Sequence, residues 1–206
     1  MDSIERLPNS RLQPHGVVSE QFLQRGLETF HAACCWVKAL PYGSNSCNED
    51  SMILFAEGRG TCTTKHGAIA RLAAEQSLPV FKTLGFYRLN DEIVTGVSAL
   101  LASHDLAFIP QIHCFLAYEG CRVDLTEGNC NGKNKTIEDY DFTVQVKPDL
   151  TKAEEEAYYL DYLRRYHEIN PHLAALEPSK ILALLDACNQ QVKYQCSVMA
   201  NRLVEA

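Results

Sequence analysis

Nowhere does this 206-residue sequence hold the roughly 20 consecutive apolar residues that a membrane-spanning helix requires. Its first residues, MDSIERLPNSRLQPHG, lack the basic flank and apolar run of a secretory signal, so cytoplasmic residence is the expectation. Positive charge is scarce as well: 19 Lys and Arg against 26 Asp and Glu leave a net charge of −7. With no basic cluster, that balance argues against nucleic acid or an anionic membrane as the main partner. No internal repeat or low-complexity tract occurs. No CxxC occurs either, which removes zinc-ribbon and thioredoxin-like readings.

What the sequence does hold is cysteine. Nine is an odd count, so the thiols cannot all pair within the chain. In a reducing compartment most should be free, packed as small hydrophobes. A hydrophobic content of 46% against 22% charged residues is that of an ordinary globular chain, long enough for one sizeable core.

Residues 1–18 read as an extended arm. Apolar spacing in EQFLQRGLETFHAACCWVKAL predicts one helix, capped by Ser19 and ended by Pro41. Tyr42 to Gly60 is polar and turn-rich apart from MILFA, and a helix of small residues starts near Cys62. LPVFKTLGFYRL predicts a strand and DEIVTGVSALLASHDL a helix. AFIPQIHCFLAYEGCRVDLTEG predicts two strands about a Glu119-Gly120 turn. A polar loop over 127–139 precedes a further strand in YDFTVQV. Beyond Pro148 two helices follow, the first with acids in its first turn and Arg164, Arg165 and His167 near its end, an order that suits the helix dipole. Tyr158, Tyr159, Tyr162 and Tyr166 on it read as packing surface. The division expected is an arm (1–18), an α+β core (19–148) and a C-terminal helical extension packed on the core (149–206).

A thiol reacts as its thiolate, and a helix N-terminus favours that form. GRGTC allows a tight entry into a helix, and AIARLAA allows that helix to pack closely on a sheet, so Cys62 is a candidate nucleophile. Its base must come from elsewhere. Strand alternation puts Gln111, His113, Phe115 and Ala117 on one face, and Ile112, Cys114, Leu116 and Tyr118 on the other, more apolar one. A two-residue loop at Glu119-Gly120 pairs Tyr118 with Cys121, and by extension Phe115 with Asp124 and His113 with Thr126. His113 and Asp124 then share a face as diagonal neighbours. Singly, His113 reads as a satisfied core histidine and Asp124 as a turn residue; their common side makes them a pair.

GTC opening a helix, followed by HCFLAYEGCRVDLT on a hairpin, resembles the transglutaminase-like cysteine enzymes of the wider papain-like group. CCWVKALPYG upstream resembles that family's helix ending in an aromatic PY segment. The resemblance covers roughly residues 30–126 and implies an α+β fold, a central helix packed on an antiparallel sheet. It also implies a catalytic set of Cys62, His113 and Asp124. After its histidine the family usually carries alanine and tryptophan; Cys114 and Phe115 stand there instead, so substrate contacts inferred from that tryptophan do not transfer.

The expectation is cysteine-dependent acyl transfer on an amide or ester, hydrolysis or transamidation, through a thioester and without a cofactor. The substrate would be a small molecule or a peptide. His66, four residues after Cys62 and on the same helical face, is a candidate for supporting the site, for touching substrate, or as a rival base. Lys65 is expected in solvent. The backbone N–H of Cys62 is one candidate oxyanion donor, and Tyr42, Asn45, Ser46 and Asn48 are candidates for a second. Two other classes stand beside this one: an inactive binding module on the same fold, and a thiol- or metal-responsive protein. For metal, neither Cys62 with His66 nor His113 with Cys114, Cys121 and Cys130 has a recognised ligand spacing. The C-terminal helices are candidates to cover the cleft or to form a homodimer surface.

Overall fold

The computed structural model describes residues 1–165 and 171–204, so the readings of Tyr166 and His167 lie outside the described residues. After a 3-10 turn at Ile4–Arg6 come four helices: α1 (Val17–Gln24), α2 (Phe30–Ala39), α3 (Ile53–Glu57) and α4 (Cys62–Glu75). Then follow β1 (Phe81–Leu89), α5 (Val97–Ala102), β2 (Ile109–Tyr118), β3 (Cys121–Val123) and β4 (Phe142–Gln145). Helices α6 (Lys152–Arg165), α7 (Pro171–Ala174) and α8 (Pro178–Val204) complete the described chain. The four strands form one antiparallel sheet in the order β3-β2-β1-β4, and the architecture is mixed α+β. Among the described residues no helix is long and apolar enough to cross a membrane.

The chain packs as two compact units. The first comprises Met1–Gly85, His113–Asn129 and Thr143–Thr151. The second comprises Phe86–Ile112, Cys130–Phe142 and the described residues from Lys152 onward. In the first, α1, α2 and α3 pack on α4, and Phe22, Phe30, Val37, Ile69 and Leu72 join Leu116, Val123 and Leu125 in one apolar core. In the second, α5 packs on α8, and Phe86 stacks on Tyr162 with ring centroids 4.4 Å apart. The Tyr159 hydroxyl donates to the Pro110 carbonyl at 2.9 Å, so two of the α6 tyrosines, Tyr159 and Tyr162, are packing residues, as expected.

The helix expected from Ser19 to Pro41 is instead two. The apolar period runs on through both, but Gly26 takes a left-handed φ of 74° after α1, and the Thr29 hydroxyl accepts the Ala32 amide to start α2. Ser19 is not the cap of α1: Gly16 is, and Ser19 sits inside the first turn, where its hydroxyl accepts the Gly16 amide. The carboxylate of Glu75, the last residue of α4, accepts the Val18 and Ser19 amides at 3.0 and 2.7 Å. A negative charge there complements the dipole of α1. The helix expected across DEIVTGVSALLASHDL shortens to α5, because Asp91 Oδ1 accepts the Gly96 amide just before the helix and the Ser98 amide in its first turn, so that helix starts only there.

The β2–β3 hairpin has the expected register: Tyr118 pairs with Cys121, Ala117 with Arg122 and Leu116 with Val123. Glu119 and Gly120 both have positive φ (45° and 80°), the requirement of a two-residue turn whose twist matches the strands. Two details differ. The ladder stops at Val123, so Asp124 and Thr126 lie beyond it rather than in it. Also, His113, Cys114, Phe115 and Leu116 are buried in succession, because β2 is covered on both faces rather than one.

Helix α4 owes its close packing to Gly67. A Cβ there would fall 2.8 Å from the Pro148 carbonyl oxygen and 2.9 Å from Ser51 Cβ. Gly67→Ala gains up to about 1 kcal/mol in helix propensity but meets an overpacking cost of roughly 1–3 kcal/mol against backbone. Urea unfolding of Gly67→Ala is therefore expected to show a net loss of stability, where an exposed helical glycine would show a gain.

Candidate active site

Cys62 is the first residue of α4 and is half-buried. Its entry is braced from two sides. The Thr64 hydroxyl accepts the Thr61 amide at 3.0 Å and donates to Asn45 Oδ1 at 2.9 Å. Gly60 is needed for this, since a Cβ there would stand 2.7 Å from that same hydroxyl oxygen. The segment Pro41–Gly43 runs beside Gly60: the Gly60 amide donates to Pro41 O and the Gly43 amide to Gly60 O, both at 3.2 Å. Tyr42 is half-buried in this bridge.

The residues considered for a second oxyanion donor divide. Asn45 has both amide hydrogens committed, to Glu57 Oε2 at 2.9 Å and to the Arg59 carbonyl at 3.0 Å, so it braces the loop. Ser46 gives its amide and hydroxyl to Glu57 Oε1. The Ser46 hydroxyl first, then the Asn45 amide, hold the Glu57 carboxyl down to about 2. Asn48 is exposed and accepts the Asn45 amide at 3.3 Å. The Cys62 amide stands at the first position of α4.

His113 and Asp124 meet. Nε2 of His113 lies 2.7 Å from Asp124 Oδ2, with 1% of His113 and 6% of Asp124 exposed. The other carboxylate oxygen, Oδ1, accepts both the amide and the hydroxyl of Thr126 at 2.7 Å. Burial alone would raise the Asp124 carboxyl, but His113 first, by charge and hydrogen bond, and then His66 outweigh it and hold it well below the usual carboxylate range. Asp124 is thus an ionised, four-square acceptor that fixes which nitrogen of His113 faces it. With Nε2 engaged by the carboxylate, the orientation of the His113 ring is set.

His66 lies at the same place. Nδ1 is 2.7 Å from the Cys62 carbonyl oxygen, the Leu125 amide donates to Nε2 at 2.8 Å, and the ring sits edge-on to His113 with centroids 6.3 Å apart. Direct contacts therefore join His113, Asp124 and His66, and His66 joins them to the backbone of Cys62. No protein-family model, curated protein or solved structure matches this chain.

Lys65 corrects the sequence reading. It is wholly buried, and its Nζ donates to the Lys38 and Leu40 carbonyls at 3.2 and 2.5 Å. These carbonyls end α2, where acceptors go unmet and a cation suits the dipole. Asn129 Nδ2 donates to the same two oxygens, tying the loop after Asp124 to that helix end. Thr126, Asn129 and the anchoring role of Lys65 were all missed from sequence. Only Thr126 had a local signal, the Asp-x-Thr spacing of a side chain that bonds the backbone two residues on. Cys114, next to His113, lies 3.8 Å from the Thr63 hydroxyl.

Burial lowers the Lys65 ammonium to about 8, against a partial upward pull from Asp124. Its folded-state value thus lies below the unfolded one of about 10.4, so the unfolded chain binds more protons between the two, and the stability of the fold rises with pH there. Below about pH 8 both states are charged and the burial cost is paid in full. Against a Lys65→Met variant, which cancels other titrations, the wild-type unfolding free energy is expected to gain up to about 3 kcal/mol from pH 8 to 10.4. Guanidinium unfolding at a series of pH values measures it.

Proposed function

We propose that this protein is a transglutaminase-like cysteine enzyme that transfers acyl groups from amides or esters of a small molecule or peptide. The observation that carries this reading is the buried 2.7 Å contact between His113 Nε2 and Asp124, beyond a hairpin whose partner helix opens on Cys62. Such a carboxylate orients the imidazole and favours its protonated state, while the helix start favours a thiolate.

In this reading the Cys62 thiolate attacks the carbonyl carbon and a C–S bond forms. His113 passes its proton to the departing amine or alkoxide as the C–N or C–O bond breaks, leaving a thioester. Water or an amine then attacks, His113 takes its proton, and the C–S bond breaks. Hydrolysis or transamidation results according to the acceptor. The Cys62 amide stabilises the oxyanion as the carbonyl turns tetrahedral.

Iodoacetamide labelling at neutral pH with peptide mapping tests the nucleophile, with exposed Cys47 as internal reference. Cys62 is expected to react at least about tenfold faster than Cys47, and Asp124→Ala to slow it by a similar factor. p-Nitrophenyl acetate is expected to leave an acetyl group on wild-type protein and none on Cys62→Ala. Equal, slow labelling of both thiols would exclude the proposal.

A further inference from the structure

His66 is a buried histidine whose two nitrogens meet partners that cannot exchange roles. The Cys62 carbonyl can only accept, so Nδ1 must carry the proton; the Leu125 amide can only donate, so Nε2 must present its lone pair. The ring is 0% exposed, leaving no solvent to substitute for either contact. Asp124 Oδ1 stands 3.4 Å from Nε2, but the amide and hydroxyl of Thr126 already fill it.

We propose that His66 is a positioning residue of the site: a neutral imidazole, protonated on Nδ1, that ties the first turn of α4 to the peptide after Asp124. This rests on the acyl-transfer reading above. Holding the Leu125 amide fixes the backbone next to Asp124, so that Oδ1 turns to Thr126 and Oδ2 is left for His113. The two histidines then divide the labour. His113 binds the carboxylate; His66 binds backbone at both ends. It is not a rival base, because the lone pair a base would need is occupied by the Leu125 N–H.

The groups facing His66 make its protonation consequential. A second proton, on Nε2, would confront the Leu125 N–H and turn instead to Asp124 Oδ1, with His113 the other ring at hand. An imidazolium at 66 would compete with His113 for one carboxylate. The arrangement is built for the neutral ring.

Nitrogen NMR of the full-length protein labelled at histidine reads the tautomer directly, His66 being assigned by its loss in His66→Gln. A protonated Nδ1 and an unprotonated Nε2 are expected; the opposite tautomer, or protons on both at neutral pH, would overturn the proposal. The iodoacetamide rate of Cys62 reads the positioning. Gln places an oxygen where Nε2 accepts from Leu125, so His66→Gln is expected to stay within about threefold of wild type. His66→Leu orphans a buried amide and is expected to lose about tenfold or more. Circular dichroism confirms that each variant is folded, and the NMR result on wild type stands if the leucine variant is not. Equal rates in wild type, Gln and Leu variants would reject the positioning role. Wild-type Cys62 reacting no faster than Cys47 would instead reject the acyl-transfer reading, whatever the tautomer.

Discussion

The buried carboxylate of Asp124 is the contact around which the first unit is organised. A carboxylate with only 6% exposure must find hydrogen-bond donors, and it finds them in one histidine and one threonine. Those donors set the rest. Thr126 bends the chain out of the hairpin, the peptide following Asp124 gives its amide to His66, and His66 reaches the carbonyl of the residue that opens α4. Helix and hairpin are thereby held together by directional bonds as well as by the apolar contacts of Leu116, Val123 and Leu125.

Helix α4 is unusual in how much it buries. From Thr64 to Ala70 each residue is buried in turn, including a lysine and a histidine. A helix so enclosed must satisfy every polar atom internally, and its neighbours supply the partners: α2 ends on Lys65, the chain after β3 meets His66, and the chain after β4 crosses Gly67. The last residue, Glu75, caps α1. Candidate chemistry at one end and structural capping at the other are parts of one rigid element.

What was legible in the sequence was local. The register of the β2–β3 hairpin follows from a two-residue turn, which a Glu-Gly pair can adopt only with both φ positive, and that register brought His113 and Asp124 to one side. The break between α1 and α2 was hidden because apolar periodicity continues across Gly26, and periodicity alone does not register one left-handed residue. Lys65 was hidden for a different reason. A lysine in a helix is ordinarily solvated, and its acceptors, the carbonyls of Lys38 and Leu40, lie more than 20 residues away in the chain, where no spacing rule looks. Alternation along β2 failed to separate inside from outside because both faces are covered.

The enclosure of Lys65 makes that amine a sentinel. Surface lysines react with acylating reagents at their own pace, but Lys65 can be reached only when the seam that α4 makes with α2 and the chain around Asn129 parts. Once the seam opens, the amine is hydrated and burial no longer holds its proton loosely, so it reacts as an ordinary exposed lysine. The rate at which Lys65 is modified is therefore a clock for the opening of that seam, and it runs on the same helix that carries Cys62.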